Sequence, residues 1–317
     1  MSNAAPDLMP IRDVVGVLQQ DFPDVSHSSL RFLEREGLLS PQRTAGGHRL
    51  YTGQDVARVR QIKRWQAQRL SLEEIRARLQ ALEGQPAAAL AERLTVELLR
   101  GRPHAVPQLM AADDLGVPLA ELFQDVLLRV QATVGERWRQ GDLRVGQEHE
   151  ITEIVREAVA QLSWRHATPP QGAPILAACA PGEQHDVGLR MVVGLLRTEG
   201  RLVHFLGANV GVDDLLAEIA NRRPAVVLLS ATLPERFAAI RRLLTALQAD
   251  PALAAIPVVV GGGMAHAMGA DLRALGAIPS EEHDLLRAVD NIVRLSRQTQ
   301  SHEVATGRMT GERMASR

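Results

Sequence analysis

Residues 173–190 read APILAACAPGEQHDVGLR, and this stretch decides the fold. The apolar run 174–180 is too short for a helix and breaks at Pro181-Gly182, so it predicts a buried strand. Helical periodicity resumes over 186–199. Glu183 and His185 therefore lie on the loop between a strand and a helix. The same alternation continues downstream: strands at 201–206, 225–230 and 256–260, helices at 212–221 and 235–248, then a last β-turn and helix over 271–296. Strands separated by helices predict a mostly parallel sheet wound on both faces.

Two further segments fall at strand ends. From Gly188, 41 residues intervene before Ser230-Ala231-Thr232, and 28 more separate Thr232 from Gly261-Gly262-Gly263. All three segments thus reach the carboxyl edge of one sheet, where open α/β folds bind ligands. A lone histidine in such a loop is ordinarily a surface residue; the ordered set of three segments is what makes His185 a binding candidate.

Upstream, 88–166 shows helical periodicity with almost no strand signal, clearest at 118–140 and 146–165. Trp138 and Glu148-His149 stand there, nine residues apart. Taken singly, Trp138 reads as bundle core and His149 as helix surface. Gly84 to Pro86 reads as a linker. Before it come helices at 9–20, 26–36, 54–69 and 72–82, with a turn-rich hairpin at 40–52 built around Gly46-Gly47. Ser71-Leu-Glu-Glu offers a capping box.

The chain has 317 residues and a formal net charge of −1, so any nucleic-acid surface must be local. Segment 1–80 carries 12 Arg or Lys against 9 Asp or Glu. Arg31 and Arg35 share a helix face, and Arg43, His48, Arg49 and Tyr51 line the hairpin. Cys179 is the single cysteine, which excludes an intrachain disulfide or a Cys-rich zinc site. No apolar run reaches the ~18 residues of a membrane span, and no secretory signal is apparent, so a cytoplasmic location is expected.

The stretch LRFLEREGLLSPQRTAGGHRLYTGQDVARVRQIKRW, 30–65, resembles the MerR family of winged helix-turn-helix regulators. That resemblance implies contact with double-stranded operator DNA through Arg31, Arg35, Arg43, His48, Arg49 and Tyr51. The ordered set in 173–296 resembles the cobalamin-binding signature of methionine synthase and base-off mutases. It implies His185 as lower cobalt ligand, with Gly188, Ser230, Thr232, Gly261 and Gly262 along the nucleotide tail. Two positions depart from that signature: Glu183 replaces Asp, and Thr232 replaces Leu. A carboxylate at 183 still accepts the imidazole's other proton.

Across 9–296 the chain resembles the CarH/LitR-type cobalamin photoreceptors, which also carry Glu in the histidine loop. This resemblance implies adenosylcobalamin held in darkness, Trp138 and Glu148 against its adenosyl group, and a homotetramer on the operator. It further implies that light breaks the cobalt–carbon bond, that His149 takes the freed cobalt face, and that DNA is released.

The expected architecture is multidomain α and α/β. It comprises a winged helix-turn-helix over 1–82, a four-helix-bundle cap over 88–168, a Rossmann-like cobalamin domain over 173–297 and a disordered tail over 298–317. The expected function is regulation, not catalysis. The alternatives are a light-independent cobalamin-responsive repressor, a corrinoid methyl carrier and a cobalamin fold that has lost its ligand.

Overall fold

Four parallel pairings organise the carboxyl-terminal half into one five-stranded sheet, in the order 201–207, 171–179, 226–230, 258–261 and 278–279. The computed structural model describes residues 8–19, 22–44, 46–67, 69–82, 87–102, 105–281 and 284–314. The expected linker at Gly84 to Pro86 lies outside them. The chain divides into two compact units, Met1–Val130 and Gln131–Arg317. That division falls inside the expected cap segment.

The first unit begins with β1 (Met9–Pro10), α1 (Ile11–Gln19) and α2 (His27–Arg35). The hairpin β2 (Gln42–Arg43) and β3 (Arg49–Tyr51) follows, then α3 (Gly53–Ala67) and α4 (Leu72–Leu82). β3 lies between β1 and β2, antiparallel to both. Gly47, at φ +77°, makes the hairpin turn in a conformation that side chains resist. Ser26 and Ser29 cap α2 reciprocally, and Ser71 and Glu74 cap α4 the same way. Val14, Leu18, Leu30, Leu33, Ile62 and Ile75 close one core over these helices. α5 (Ala87–Leu99) and α6 (Ala105–Asp114) continue the unit. Ala111 of α6 enters the same core, and buried Asp114 pairs with Arg64 of α3.

After α7 (Leu119–Glu121) a π-helical segment, Leu122–Leu127, leads into α8 (Leu128–Arg139). In the second unit, α9 (Val145–Arg165) precedes β4 (Gln171–Cys179) and α10 (Val187–Thr198). Then come β5 (Arg201–Gly207), α11 (Val212–Arg222), β6 (Val226–Ser230), α12 (Phe237–Ala249) and β7 (Val258–Gly261). The chain continues through α13 (Gly263–Ala267), α14 (Gly269–Ala274), β8 (Ile278–Pro279) and α15 (Leu285–Met314). Ile175–Cys179 of β4 and Val226–Leu229 of β6 are buried, as a parallel sheet covered on both faces requires.

α15 corrects one expectation. The tail over 298–317 reads as disordered by its polarity, yet the backbone stays helical to Met314. The range 285–314 holds no proline, and a helix nucleated on its packed amino-terminal part, around buried Val289 and Ile292, propagates at low cost.

Candidate functional site

Register brings the three segments together. Cys179 of β4 pairs with Ser230 of β6, which pairs with Gly261 of β7. β4 connects outward to β5, while β6 lies on its other side, so the strand order reverses at β4. The crevice outside such a reversal is the ligand position of doubly wound sheets.

The loop after β4 is built around Glu183, which is fully buried. Its Oε1 accepts from the backbone N–H groups of Gln184 and His185, each at 2.9 Å. Its Oε2 accepts from the N–H of Thr232 at 2.7 Å and of Leu233 at 3.4 Å. Burial alone raises this carboxyl's pKa; the N–H groups of His185 and Thr232 and the imidazole outweigh it and hold it below the ordinary carboxylate range. His185 Nδ1 lies 2.5 Å from Glu183 Oε1. Donation from Nδ1 fixes the tautomer and leaves Nε2 as the free lone-pair atom, on a side chain 63% exposed.

Position 232 thus contributes its backbone amide, which a Thr supplies as well as a Leu. Asn209, at φ 54°, supports the loop from the end of β5. Its Oδ1 accepts from Gly182 N at 2.8 Å and its own N donates to Glu183 O at 3.0 Å.

The three glycine positions differ. Gly262 has φ +90°, and a Cβ there would stand 2.5 Å from Ala231 O, so only glycine lets β6 and β7 end side by side. Gly188, in the first turn of α10, has no heavy atom within 4 Å of an added Cβ. A Cβ on Gly261 would meet Ser280 at an ordinary 3.9 Å.

These features fit a corrin with its tail. Among the described residues no group of three His, Cys, Asp or Glu side chains is placed to hold a bare metal ion. A single oriented imidazole beside open space suits a metal that brings its own equatorial ligands. His185 would hold the cobalt, and the open flank of Gly188 admits a chain passing close to backbone.

Trp138 stands on α8, 48% exposed, so it is not the core residue that its type first suggests. Glu148 and His149 begin α9. Glu148 Oε1 accepts from Thr152 Oγ1 at 2.8 Å, and its Oε2 lies 3.6 Å from Nε2 of His149, whose side chain is 71% exposed. Among the described residues no hydrogen bond or ion pair joins Trp138 or His149 to His185. The link that the structure does show is through Arg156 of α9, whose Nε donates to Asp186 Oδ1 at 2.7 Å. Arg190 Nε donates to the other oxygen, also at 2.7 Å. Asp186 and Arg190 are four apart on one helix face, a legible pair; Arg156 lies thirty positions away and leaves no local signal.

In the winged helix-turn-helix, which reads DNA in the family it resembles, Arg31, Arg35, Arg43 and His48 are exposed. Glu34 of α2 ties the hairpin down: its carboxylate takes Arg43 at 2.7 Å and Arg49 at 2.5 Å. The Arg49 bond, against a smaller opposing effect of burial, holds Glu34 below the ordinary carboxylate range. Tyr51 corrects the sequence reading. Expected along phosphates, it is fully buried in the same core cluster as Val14 and Ile62, at the end of β3 where the chain turns into α3.

Comparison with known proteins agrees with this geometry. Residues 24–82 match the MerR HTH family regulatory protein description, and two B12 binding domain families match 89–163 and 173–289. The HTH-type transcriptional repressor CarH of Myxococcus xanthus is 34% identical over 73% of this chain and 82% of its own length. The repressor CarA of the same organism is 32% identical over 85% of this chain and 93% of its own. The monomethylamine corrinoid protein of Methanosarcina barkeri superposes with a TM-score of 0.58 at 16% identity, covering 65% of this chain and 98% of that one, which shows a shared fold. No helix among the described residues is long and apolar enough to cross a membrane. The chain belongs to the CarH and CarA family of cobalamin-binding, MerR-type transcriptional repressors.

Proposed function

We propose that this chain is a light-responsive repressor that occupies operator DNA as a homotetramer when it holds adenosylcobalamin in darkness, and leaves it after illumination. The supporting observation is the His185 imidazole, oriented through Nδ1 by a carboxylate fully buried beneath it. Bound adenosylcobalamin supplies a cobalt–carbon bond that visible light breaks. His185 would hold the cobalt, and Ser230, Thr232, Gly188, Gly261 and Gly262 would border the nucleotide tail.

After loss of the adenosyl group, His149 would be the residue to approach the cobalt from the side of α9. It lies seven positions before Arg156, so both fall on one stripe of α9, about 10 Å apart along the axis. Because Arg156 touches the His185 loop, that stripe faces the site. Trp138 supplies an exposed apolar ring and Glu148 an acceptor for the sugar hydroxyls of an adenosyl group. On the DNA side, Arg31, Arg35, Arg43, His48 and Arg49 meet phosphates and base edges through guanidinium or imidazole donors. Assembly multiplies these contacts, so its loss lowers occupancy without altering any reader residue.

The test is gel filtration and DNA mobility shift of the full chain with adenosylcobalamin, in darkness and after green light. The expected result is a dark oligomer that retards operator DNA and a smaller lit species that does not. A coloured protein with the same size and DNA binding in both conditions refutes light sensing and leaves a light-independent cobalamin-responsive repressor. His185→Ala should lose the cofactor on desalting, with little change in thermal midpoint because the ring is largely exposed.

A further inference from the structure

The loop of His185 is gripped from two sides. Glu183 holds the imidazole from within the loop. From outside, Arg156 of α9 donates through Nε to Asp186 Oδ1 at 2.7 Å and through Nη2 to the Gln184 carbonyl at 3.3 Å. One side chain therefore holds the residue before His185 and the residue after it. A third nitrogen, Nη1, pairs with Glu153 on the same helix.

Asp186 is the counterpart of this grip. Its side chain is 3% exposed and lies between two guanidinium groups, Arg156 from α9 and Arg190 from α10. Its burial demands both partners, since a buried carboxylate deprived of a donor keeps its desolvation cost. The fork geometry matters as well. Arg156 engages a carboxylate and a carbonyl at once, which fixes direction as well as distance, whereas a lysine ammonium is a single point donor.

We propose that Arg156 is the mechanical link between the helix carrying Glu148 and His149 and the loop carrying His185, so that displacement at either face of the cofactor site is passed to the other. This rests on the reading of His185 and His149 as residues for the two cobalt faces. Helix α9 is continuous from Val145 to Arg165, so Glu148, His149 and Arg156 belong to one rigid element. Without Arg156, α9 still packs against α10, and its apolar side chains Val155, Val159 and Leu162 stay buried. What is lost is the directional tie to the two positions flanking the ligand. Arg156 is thus a positioning residue.

The experiment uses full-length Arg156→Gln and Arg156→Lys in two arms. In the first, without cofactor, amide hydrogen exchange is followed over residues 183–187. Exchange in Arg156→Gln is expected to rise about tenfold, with Arg156→Lys intermediate because it keeps the ion pair but not the second contact. In the second, with adenosylcobalamin, both variants are expected to keep a His185-ligated absorption spectrum, while the light-induced loss of DNA affinity shrinks about fivefold or more in Arg156→Gln. Wild-type exchange in both variants, or a wild-type light response in Arg156→Gln, overturns the link. Should Arg156→Gln fail to fold by circular dichroism, Arg156→Lys decides alone: raised exchange supports the link and wild-type exchange overturns it. If the wild-type protein itself shows no light response, the functional reading fails, and the cofactor-free arm still decides whether Arg156 holds the loop.

Discussion

Alanine at Gly188 and alanine at Gly262 should move stability in opposite directions. At Gly188 the backbone is helical and an added Cβ meets nothing within 4 Å. The methyl group restricts the unfolded chain and favours the helix, worth about 0.5–1 kcal/mol. For a unit of 150–250 residues that raises the thermal midpoint by about 1–4 °C. If the nucleotide tail runs along that open flank, the same methyl intrudes on it, and cobalamin affinity should fall about tenfold, ~1.4 kcal/mol. Gly262→Ala instead places a carbon 2.5 Å from Ala231 O at φ +90°. The conformational strain alone costs about 1–3 kcal/mol, so the midpoint should drop by several degrees before the clash is counted. Scanning calorimetry of the cofactor-free protein and an absorbance titration with cobalamin read the two quantities separately. A Gly188→Ala protein that is stabilised yet binds cobalamin with unchanged affinity refutes the tail path. A Gly262→Ala protein of unchanged stability refutes the close approach of the two strand ends.

Tyr51→Phe should leave DNA affinity unchanged and stability neutral or raised by up to about 1 kcal/mol, since the buried hydroxyl has no hydrogen-bond partner among the described residues; a clear fall in DNA affinity would restore Tyr51 to the interface. Glu34→Gln should weaken the wing by about 0.5–1 kcal/mol at pH 7, as expected for part-exposed pairs. Because the folded-state pKa of Glu34 is depressed, its contribution is present above the unfolded value and disappears as pH falls through the lowered one. Urea melts of wild type and variant should therefore converge in acid, and a difference that persists there contradicts the assignment. Cys179 is fully buried with its thiol pushed up to about 12, so maleimide at pH 8 should label it only on unfolding; rapid labelling of native protein would show that the loop opens.

The alternation of strand and helix after residue 170 was legible because parallel strands covered on both faces read as unbroken apolar runs such as Val226-Val227-Leu228-Leu229. The spacing of His185, Ser230 and Gly261 was legible for the same reason, since register follows once the strands are placed. Short or long-range features were not. The two-residue β1 pairs with Tyr51 and Leu50, some forty positions away, and lies hidden in what reads as the start of a helix. The π-helical segment Leu122–Leu127 has the composition of ordinary helix. Tyr51 ends a three-residue strand in which burial does not alternate, so no period marks it as a core residue. Arg156 reads as one more charged residue on an amphipathic helix, because its partner is supplied by the fold.

The carboxylate at 183 is surrounded by protein donors: four backbone N–H groups and one ring nitrogen. It needs no water molecule and no ligand to complete its solvation. The conformation of residues 183–185 is therefore set when the sheet closes, before any vitamin arrives. Capture then involves little local ordering at the His185 imidazole. Its rate should follow encounter with the vitamin, free of a slow conformational lag on the protein side.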